Sequence, residues 1–188
     1  MLILGILLWA VTHLFVAVGT DARAKLIGKI GLQPYKGLFS LILVAAVVLI
    51  VMGWRATPIA LLYSPPYWLR HVTMLLMPIA VILFISARAP SDIKQYIRHP
   101  QLTSVKLWAF AHLLAHGETR AVILFGGMLA WAVLEVILIN RRDGAWKRLA
   151  PVGMAKTLTA AAVGLVATAV LIFAHPWFTG FTLISHGQ

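Results

Sequence analysis

The sequence of 188 residues is 61% hydrophobic, and only 11% of its residues are charged. In soluble domains about a quarter of the residues are charged. A soluble fold of this length would therefore have too few charged residues to cover so much apolar surface. The chain has no cysteine, which excludes disulfides, thiolate-bound metals and cysteine nucleophiles. The net charge of +11 does not indicate nucleic acid as a partner, because the basic residues lie at the ends of apolar runs, where membrane lipids with anionic head groups are the expected counter-charge.

Apolar runs along the chain predict transmembrane helices, since about 20 residues cross the hydrocarbon core of a bilayer. The predicted helices cover residues 2–19, 37–54, 68–87, 102–115, 119–140 and 158–177; the fourth is short, and Pro78 predicts a kink in the third. The first run lacks the basic leading region of a signal peptide, so we expect it to be retained. The sequence therefore predicts an all-α membrane protein, a single domain over residues 1–188 built as a bundle of about six transmembrane helices.

Basic residues alternate between the predicted loops. Of the 16 lysines and arginines, 13 fall in or beside loops one, three and five, whereas loops two and four carry only Arg55, Arg70 and Arg120. The positive-inside rule then places the odd-numbered loops in the cytoplasm and both the N- and C-termini outside. Within loop one, residues 21–35 mix apolar and basic positions, which predicts an amphipathic stretch along the inner surface.

Two of the seven histidines fall near the predicted midplane of the bilayer. At a rise of 1.5 Å per residue, His13 lies about 16 Å from the outer start of the first helix, and His112 about 15 Å from the inner start of the fourth. The others fall near the outer surface (His71, His175), one turn beyond His112 (His116), in loop three (His99) or in the tail (His186). Buried ionisable groups are costly in a membrane, so His13 and His112 require an explanation.

Two midplane histidines on different helices suit a b-type haem, in which each imidazole supplies one axial nitrogen to the iron. His116 shares a helix face with His112 and could bond a propionate or act as a rival ligand, and Trp108, one turn before His112, could wall the pocket. The alternatives are that the histidines only hydrogen-bond between helices, or that they bind copper or zinc. Glu135, in the inner half of the fifth helix, could carry protons or pair with Arg141 or Arg142.

Several stretches of the sequence together resemble the NnrU family of bacterial membrane proteins. They are Thr12-His13-Leu14, the run from Tyr35 to Leu41, Arg98-His99-Pro100-Gln101, the run from Leu107 to Leu113, Gly117-Glu118, Leu124-Phe125-Gly126-Gly127 and the closing run from His175 to Phe178. The spacing from Arg-His-Pro to Trp108, His112 and the glycine pair is the most specific of these features. The resemblance extends over nearly the whole chain and describes residues 1–188 as one NnrU-like transmembrane domain.

The resemblance implies a location in the bacterial inner membrane and a link to nitrite and nitric oxide metabolism in denitrifying bacteria, without a settled biochemical activity. Relatives of the family include the zeta-carotene isomerase, a haem b enzyme that acts on a membrane-dissolved polyene. Carried over from that relative, the axial ligands are His13 and His112. Arg98 and His99 would then support the haem from the cytoplasmic side, and the ligand would be a lipophilic substrate or a small gas. The sequence leaves a homo-oligomer open.

One position departs from the isomerase. A cysteine three residues before the second haem ligand of that enzyme is tied to redox ligand exchange, and Ala109 occupies the equivalent position here. A switch between cysteine and histidine ligation is therefore excluded, which argues against isomerisation by the same mechanism. Arg-His-Pro also occurs in membrane methyltransferases that use S-adenosylmethionine, but their second acidic motif has no clear counterpart here. The remaining alternative for the function of the protein is a non-catalytic membrane factor.

Overall fold

A computed structural model of the chain describes residues 1–179, apart from the side chain of Phe178, and within that range it is helical with no strand. The helices are α1 (Leu2–Val18), α2 (Thr20–Ile30), α3 (Leu32–Ala56), α4 (Leu69–Arg88), α5 (Ile93–Tyr96), α6 (Pro100–Ala115), α7 (Thr119–Asp143) and α8 (Met154–Thr179). Each of the six predicted transmembrane segments coincides with one of α1, α3, α4, α6, α7 and α8. Pro78 lies inside α4, which continues past it as one helix.

The helices α3, α4, α7 and α8 are each long and apolar enough to cross a membrane. A fifth span is obtained if α1 and α2 are counted as one bent element, since the two meet at 95°. The helices α1 and α6 have 17 and 16 residues, so each is about 24–26 Å long and shorter than a full hydrocarbon crossing. The described chain is thus an all-α multi-pass membrane protein, and the predicted number of six spanning helices is approximate.

The long helices pack in a row of neighbours. In this row α1 lies between α3 and α7, α6 lies between α7 and α4, and α4 lies between α6 and α8. Small residues bring the pairs together: the backbone of α3 at Ala46 and Ile50 touches Gly5 of α1, and Gly164 of α8 meets Ile82 of α4. Close approach over small residues is the usual way in which helices associate in lipid, where the hydrophobic effect between helices is absent.

Loops two and four are joined at one end of the bundle. The backbone N–H of Leu62 donates to the carbonyl of Gly117 at 2.9 Å, and the N–H of Thr119 donates to the carbonyl of Ala60 at 2.8 Å. The hydroxyl of Tyr63 donates to the carbonyl of Leu113 at the end of α6. We call this end the outer end, following the orientation predicted from the basic residues.

The odd-numbered loops meet at the opposite, inner end. Asp92 in loop three accepts a hydrogen bond of 2.6 Å from the N–H of Val152 in loop five. Arg98 donates to the carbonyl of Gly144 at 2.8 Å, and Arg142 at the end of α7 lies 3.3 Å from the carbonyl of Val16 in α1. All three strongly basic loops therefore share one end of the bundle, as the alternation of charges predicts.

Candidate functional site: a histidine-lined cavity at the outer end

An apolar cavity of about 230 Å³ opens in the outer half of the bundle. Its walls come from α3, α6, α7 and α8 and from the α6–α7 junction: Ile50, Val51, Trp54, Arg55, Trp108, His112, His116, Glu118, Leu124, Phe125, His175 and Thr179. Because α3 and α8 stand at the two ends of the row of helices, the cavity occupies the seam between those ends.

His112 lies in the last turn of α6, with its ring stacked on Phe125 of α7 at 4.4 Å between centroids. Its Nδ1 is 2.8 Å from the carbonyl oxygen of Trp108, one turn earlier. A carbonyl can only accept a hydrogen bond, so Nδ1 carries the proton and Nε2 keeps its lone pair. This is the tautomer that binds a metal through Nε2, with the backbone holding the ring in place.

His116 follows the end of α6 and extends the wall toward the outer surface. Its ring is stacked on that of His112 at 6.1 Å, and its Nδ1 lies 3.6 Å from the Glu118 carboxylate. Burial lowers the pKa of His116, while the Glu118 carboxylate opposes this shift. Glu118 precedes α7 without a side-chain hydrogen bond to the helix start, so its carboxylate serves the cavity wall rather than a cap.

Tyr63 of loop two fixes the end of α6 beside these histidines. Its hydroxyl donates to the carbonyl of Leu113 and lies 3.0 Å from the carbonyl of His116. Partial desolvation, together with the Glu118 carboxylate, raises the pKa of the Tyr63 phenol, so the hydroxyl stays a donor at all physiological pH values. Tyr63 thus provides a partner for carbonyl groups that lack one within the helix at the end of α6.

His13 lies outside this cavity. Its ring contacts Trp9 at 4.5 Å, Trp131 at 5.0 Å and Phe39 at 5.8 Å. The α7 residues touched by the two histidines, Trp131 for His13 and Phe125 for His112, are six positions apart, which is about 9 Å along the helix axis. The structure therefore places His13 deeper than His112 and does not bring the two imidazoles into one cavity. Their pairing on one iron stays a prediction.

The two histidines nevertheless share one local arrangement. The Nδ1 of His13 is 2.9 Å from the carbonyl of Trp9, one turn earlier, as the Nδ1 of His112 is from Trp108. Each tryptophan ring also tilts against the ring of its histidine, at 4.5 and 5.2 Å. A Trp-x-x-x-His unit thus occurs once on α1 and once on α6, and in both copies Nε2 is the nitrogen left to accept.

Glu135 of α7 is 6% exposed and accepts a hydrogen bond of 3.2 Å from the indole nitrogen of Trp131. Trp131 also contacts His13, so the carboxylate belongs to the inner cluster around His13 rather than to the outer cavity. The sequence suggested Arg141 or Arg142 as its partner. In the structure Trp131 is its hydrogen-bond donor. The guanidinium of Arg142 binds the Asp143 carboxylate at 2.7 Å and also interacts electrostatically with Glu135.

Arg98 and His99 stand at the inner end, where His99 lies about 20 Å along the α6 axis from His112. His99 pairs with the Asn140 amide oxygen at 2.8 Å, and Arg98 donates to Gly144, so both tie loop three to the end of α7. The structure therefore separates them from the histidine cavity, whereas Trp108 does line it. Ala109, at the position of the isomerase cysteine, is fully buried in the contact with α7.

His175 is the cavity residue that the sequence did not single out. It was expected at the outer surface, because it lies near the end of the last apolar run. Counting residues from the outer ends of the helices would have predicted that His175 lies at the same depth as His112. His175 lies four residues before the end of α8, and His112 lies three residues before the end of α6. A second apolar cavity, also about 230 Å³, lies between α4, α6 and α8 and shares the Trp108 wall.

Comparison with known proteins agrees with the motif-based resemblance. The family model described as NnrU protein matches residues 1–183. No curated protein and no solved structure gives a significant match. Since the family model covers almost the entire sequence, the chain belongs to the NnrU family.

Proposed function

We propose that this NnrU-family protein binds haem b in the outer cavity, with His112 as one axial ligand. The observation that carries the proposal is the state of His112: its Nδ1 proton is held by the Trp108 carbonyl, and its ring lines an apolar, aromatic cavity. An imidazole fixed in this way presents the unprotonated Nε2 to a metal, because its one N–H proton is held by the backbone carbonyl. Apolar walls suit a porphyrin, because its two apolar faces make up the larger part of its surface.

The spacing of the donors favours a haem over a bare ion. Among residues 1–179 no three histidine or carboxylate groups converge closely enough to hold a metal ion directly. A haem needs only one or two axial nitrogens, because the porphyrin supplies the remaining four. The cavity of about 230 Å³ is below the range of about 300–1,000 Å³ typical of cofactor sites, so binding requires the seam between α3 and α8 to widen.

Two residues compete for the second axial position. The resemblance assigns it to His13, whose Nε2 is prepared in the same way as that of His112. The geometry favours His175, which approaches the cavity from α8, on a different helix from His112. His116 is less suited, because a macrocycle cannot lie between two residues one turn apart on the same segment. Arg55, at the outer rim of the cavity, is placed to pair with a propionate.

A bound haem would supply a redox centre and, with one axial position vacant, a site for a small gas such as nitric oxide. The family's link with denitrification fits this chemistry, and we propose that the protein acts in nitrite or nitric oxide metabolism at the bacterial inner membrane. A second candidate is a haem-dependent cis-trans isomerase of a lipophilic polyene. The second cavity favours it, since its apolar lining, which includes Met77, Phe84 and Leu171, shares the Trp108 side chain with the histidine-lined cavity.

The test is a visible absorption spectrum of the detergent-purified protein, oxidised and then reduced with dithionite, from cells supplied with haem precursor. His112→Ala should abolish the Soret band. Loss in His13→Ala assigns the second ligand to His13, and loss in His175→Ala assigns it to His175. His71→Ala is the matched control, because His71 is an exposed histidine at the start of α4 and should leave the spectrum unchanged. Absence of any haem band in the wild-type protein would refute the proposal.

A further inference from the structure

Two polar groups are buried without a hydrogen-bond partner where α2 folds against α3. Tyr35, in the first turns of α3, is 7% exposed, and its hydroxyl has no partner among the described residues. The Nε of Arg23 on α2 is likewise buried and has no partner. The guanidinium carbon of Arg23 lies 5.5 Å from the centre of the Tyr35 ring, so the two side chains are in contact and form one cluster. Leaving such donors unsatisfied costs about 1–3 kcal/mol each, so the pair offers two donors to an acceptor from outside the chain.

The surroundings of Arg23 and Tyr35 indicate which part of the membrane the pair faces. Helix α2 turns by 95° away from α1, and Gly31, with a φ of +87°, turns the chain back into α3. No residue of α2 is fully buried, and its exposed positions include Lys25, Lys29 and Ile30. Such a geometry, a short helix at a right angle to its neighbour with basic and apolar exposed side chains, is typical of helices in the head-group layer. Lys36, next to Tyr35, adds a further exposed positive charge.

We propose that Arg23 and Tyr35 form a binding site for the phosphate of an anionic phospholipid at the inner membrane surface. One phosphate oxyanion can accept from the guanidinium N–H groups and from the phenol O–H, and arginine's planar fork suits that geometry. Lys25, Lys29 and Lys36 add attraction for the anionic head group without forming the site. The site explains why the Tyr35–Leu41 segment, part of the family resemblance, carries a buried tyrosine for which the haem site has no use.

The test follows thermal unfolding of the full-length protein in detergent micelles, titrated with dioleoyl-phosphatidylglycerol or with dioleoyl-phosphatidylcholine as the neutral control. A ligand that binds the folded state raises the melting temperature with its concentration, which gives an apparent affinity. Phosphatidylglycerol should stabilise the wild-type protein and phosphatidylcholine should not. Arg23→Gln should weaken the phosphatidylglycerol affinity about tenfold or more. Lys29→Gln, the same charge change on an exposed position of α2, should weaken it no more than about fivefold.

Tyr35→Phe provides the second variant, because it removes only the hydroxyl. Without phosphatidylglycerol its melting temperature should equal or exceed that of the wild-type protein, since an unsatisfied buried group is gone. With phosphatidylglycerol the wild-type protein should gain more. The proposal would be overturned if Arg23→Gln and Lys29→Gln weakened the phosphatidylglycerol affinity equally, or if the two lipids stabilised the wild-type protein equally. It would also be overturned if Tyr35→Phe lowered the melting temperature by the same amount with and without phosphatidylglycerol. Full stabilisation by inorganic phosphate alone would overturn its lipid source. The outcome is independent of haem, whose cavity opens at the opposite end.

Discussion

The contact between α1 and α3 is tight enough that one added methyl group should weaken the bundle. A Cβ atom at Gly5 would lie 2.7 Å from the backbone nitrogen of Ile50 and 2.9 Å from the carbonyl oxygen of Ala46. Both are backbone atoms of a continuous helix, so the two helices must move apart. Overpacking of this kind costs about 1–3 kcal/mol. We therefore expect Gly5→Ala to destabilise the protein and to displace Trp9 and His13, which α1 carries.

The matched control is Gly37→Ala on α3, where an added Cβ meets nothing within 4 Å. There the substitution should be neutral or stabilising by up to about 1 kcal/mol, because alanine is the better helix former. The difference between the two variants isolates the packing cost. For a chain of this size a packing cost of about 1–3 kcal/mol corresponds to a difference of about 2–12 °C in melting temperature, measured in one detergent. Equal melting temperatures for Gly5→Ala and Gly37→Ala would refute the close packing of α1 on α3.

Three further predictions concern polar contacts. Tyr63→Phe removes the hydroxyl that holds the end of α6, so it should lower stability by about 0.5–1.5 kcal/mol in thermal unfolding. Trp131→Phe leaves the Glu135 carboxylate without its donor, which should cost about 1–3 kcal/mol; a double-mutant cycle with Glu135→Leu should show that the second change adds little. Asp92→Asn weakens a charge-assisted acceptor for two backbone N–H groups of loop five, so hydrogen exchange there should accelerate while α7 is unaffected.

Hydropathy predicted where the helices are, but not where they begin. The second predicted helix starts at residue 37, whereas α3 starts at Leu32. The five added residues include Gln33, Pro34 and Lys36, which no apolar count would include. The helix therefore begins before its apolar stretch, and Pro34 is tolerated because the first turn needs no N–H donor there. Within residues 21–35, for which the sequence predicts an amphipathic stretch along the inner surface, the structure forms α2, and the location of this helix at the membrane surface stays a prediction.

The site illustrates what counting along single helices leaves out. The rise per residue placed His112 near the midplane, but α6 ends at Ala115, so His112 lies about one turn from the outer end of its helix. The lateral order of the helices decides which residues meet, and no sequence pattern in one chain encodes that order. His175 joins His112 because α8 closes one side of the seam, while Trp108 was found from its one-turn spacing alone.

The connection between α7 and α8 offers a practical use. Hydrogen bonds hold it at Gly144, which accepts from Arg98, and at Val152 and Gly153, which donate to Asp92. The intervening segment, residues 147–150, is non-helical and largely exposed. Exposed segments between fixed points tolerate insertions well. An epitope placed there would report which side of the membrane the basic loops face, whereas the same insertion in loop two would break the strand-like pairing of Leu61 with Glu118 beside the histidines.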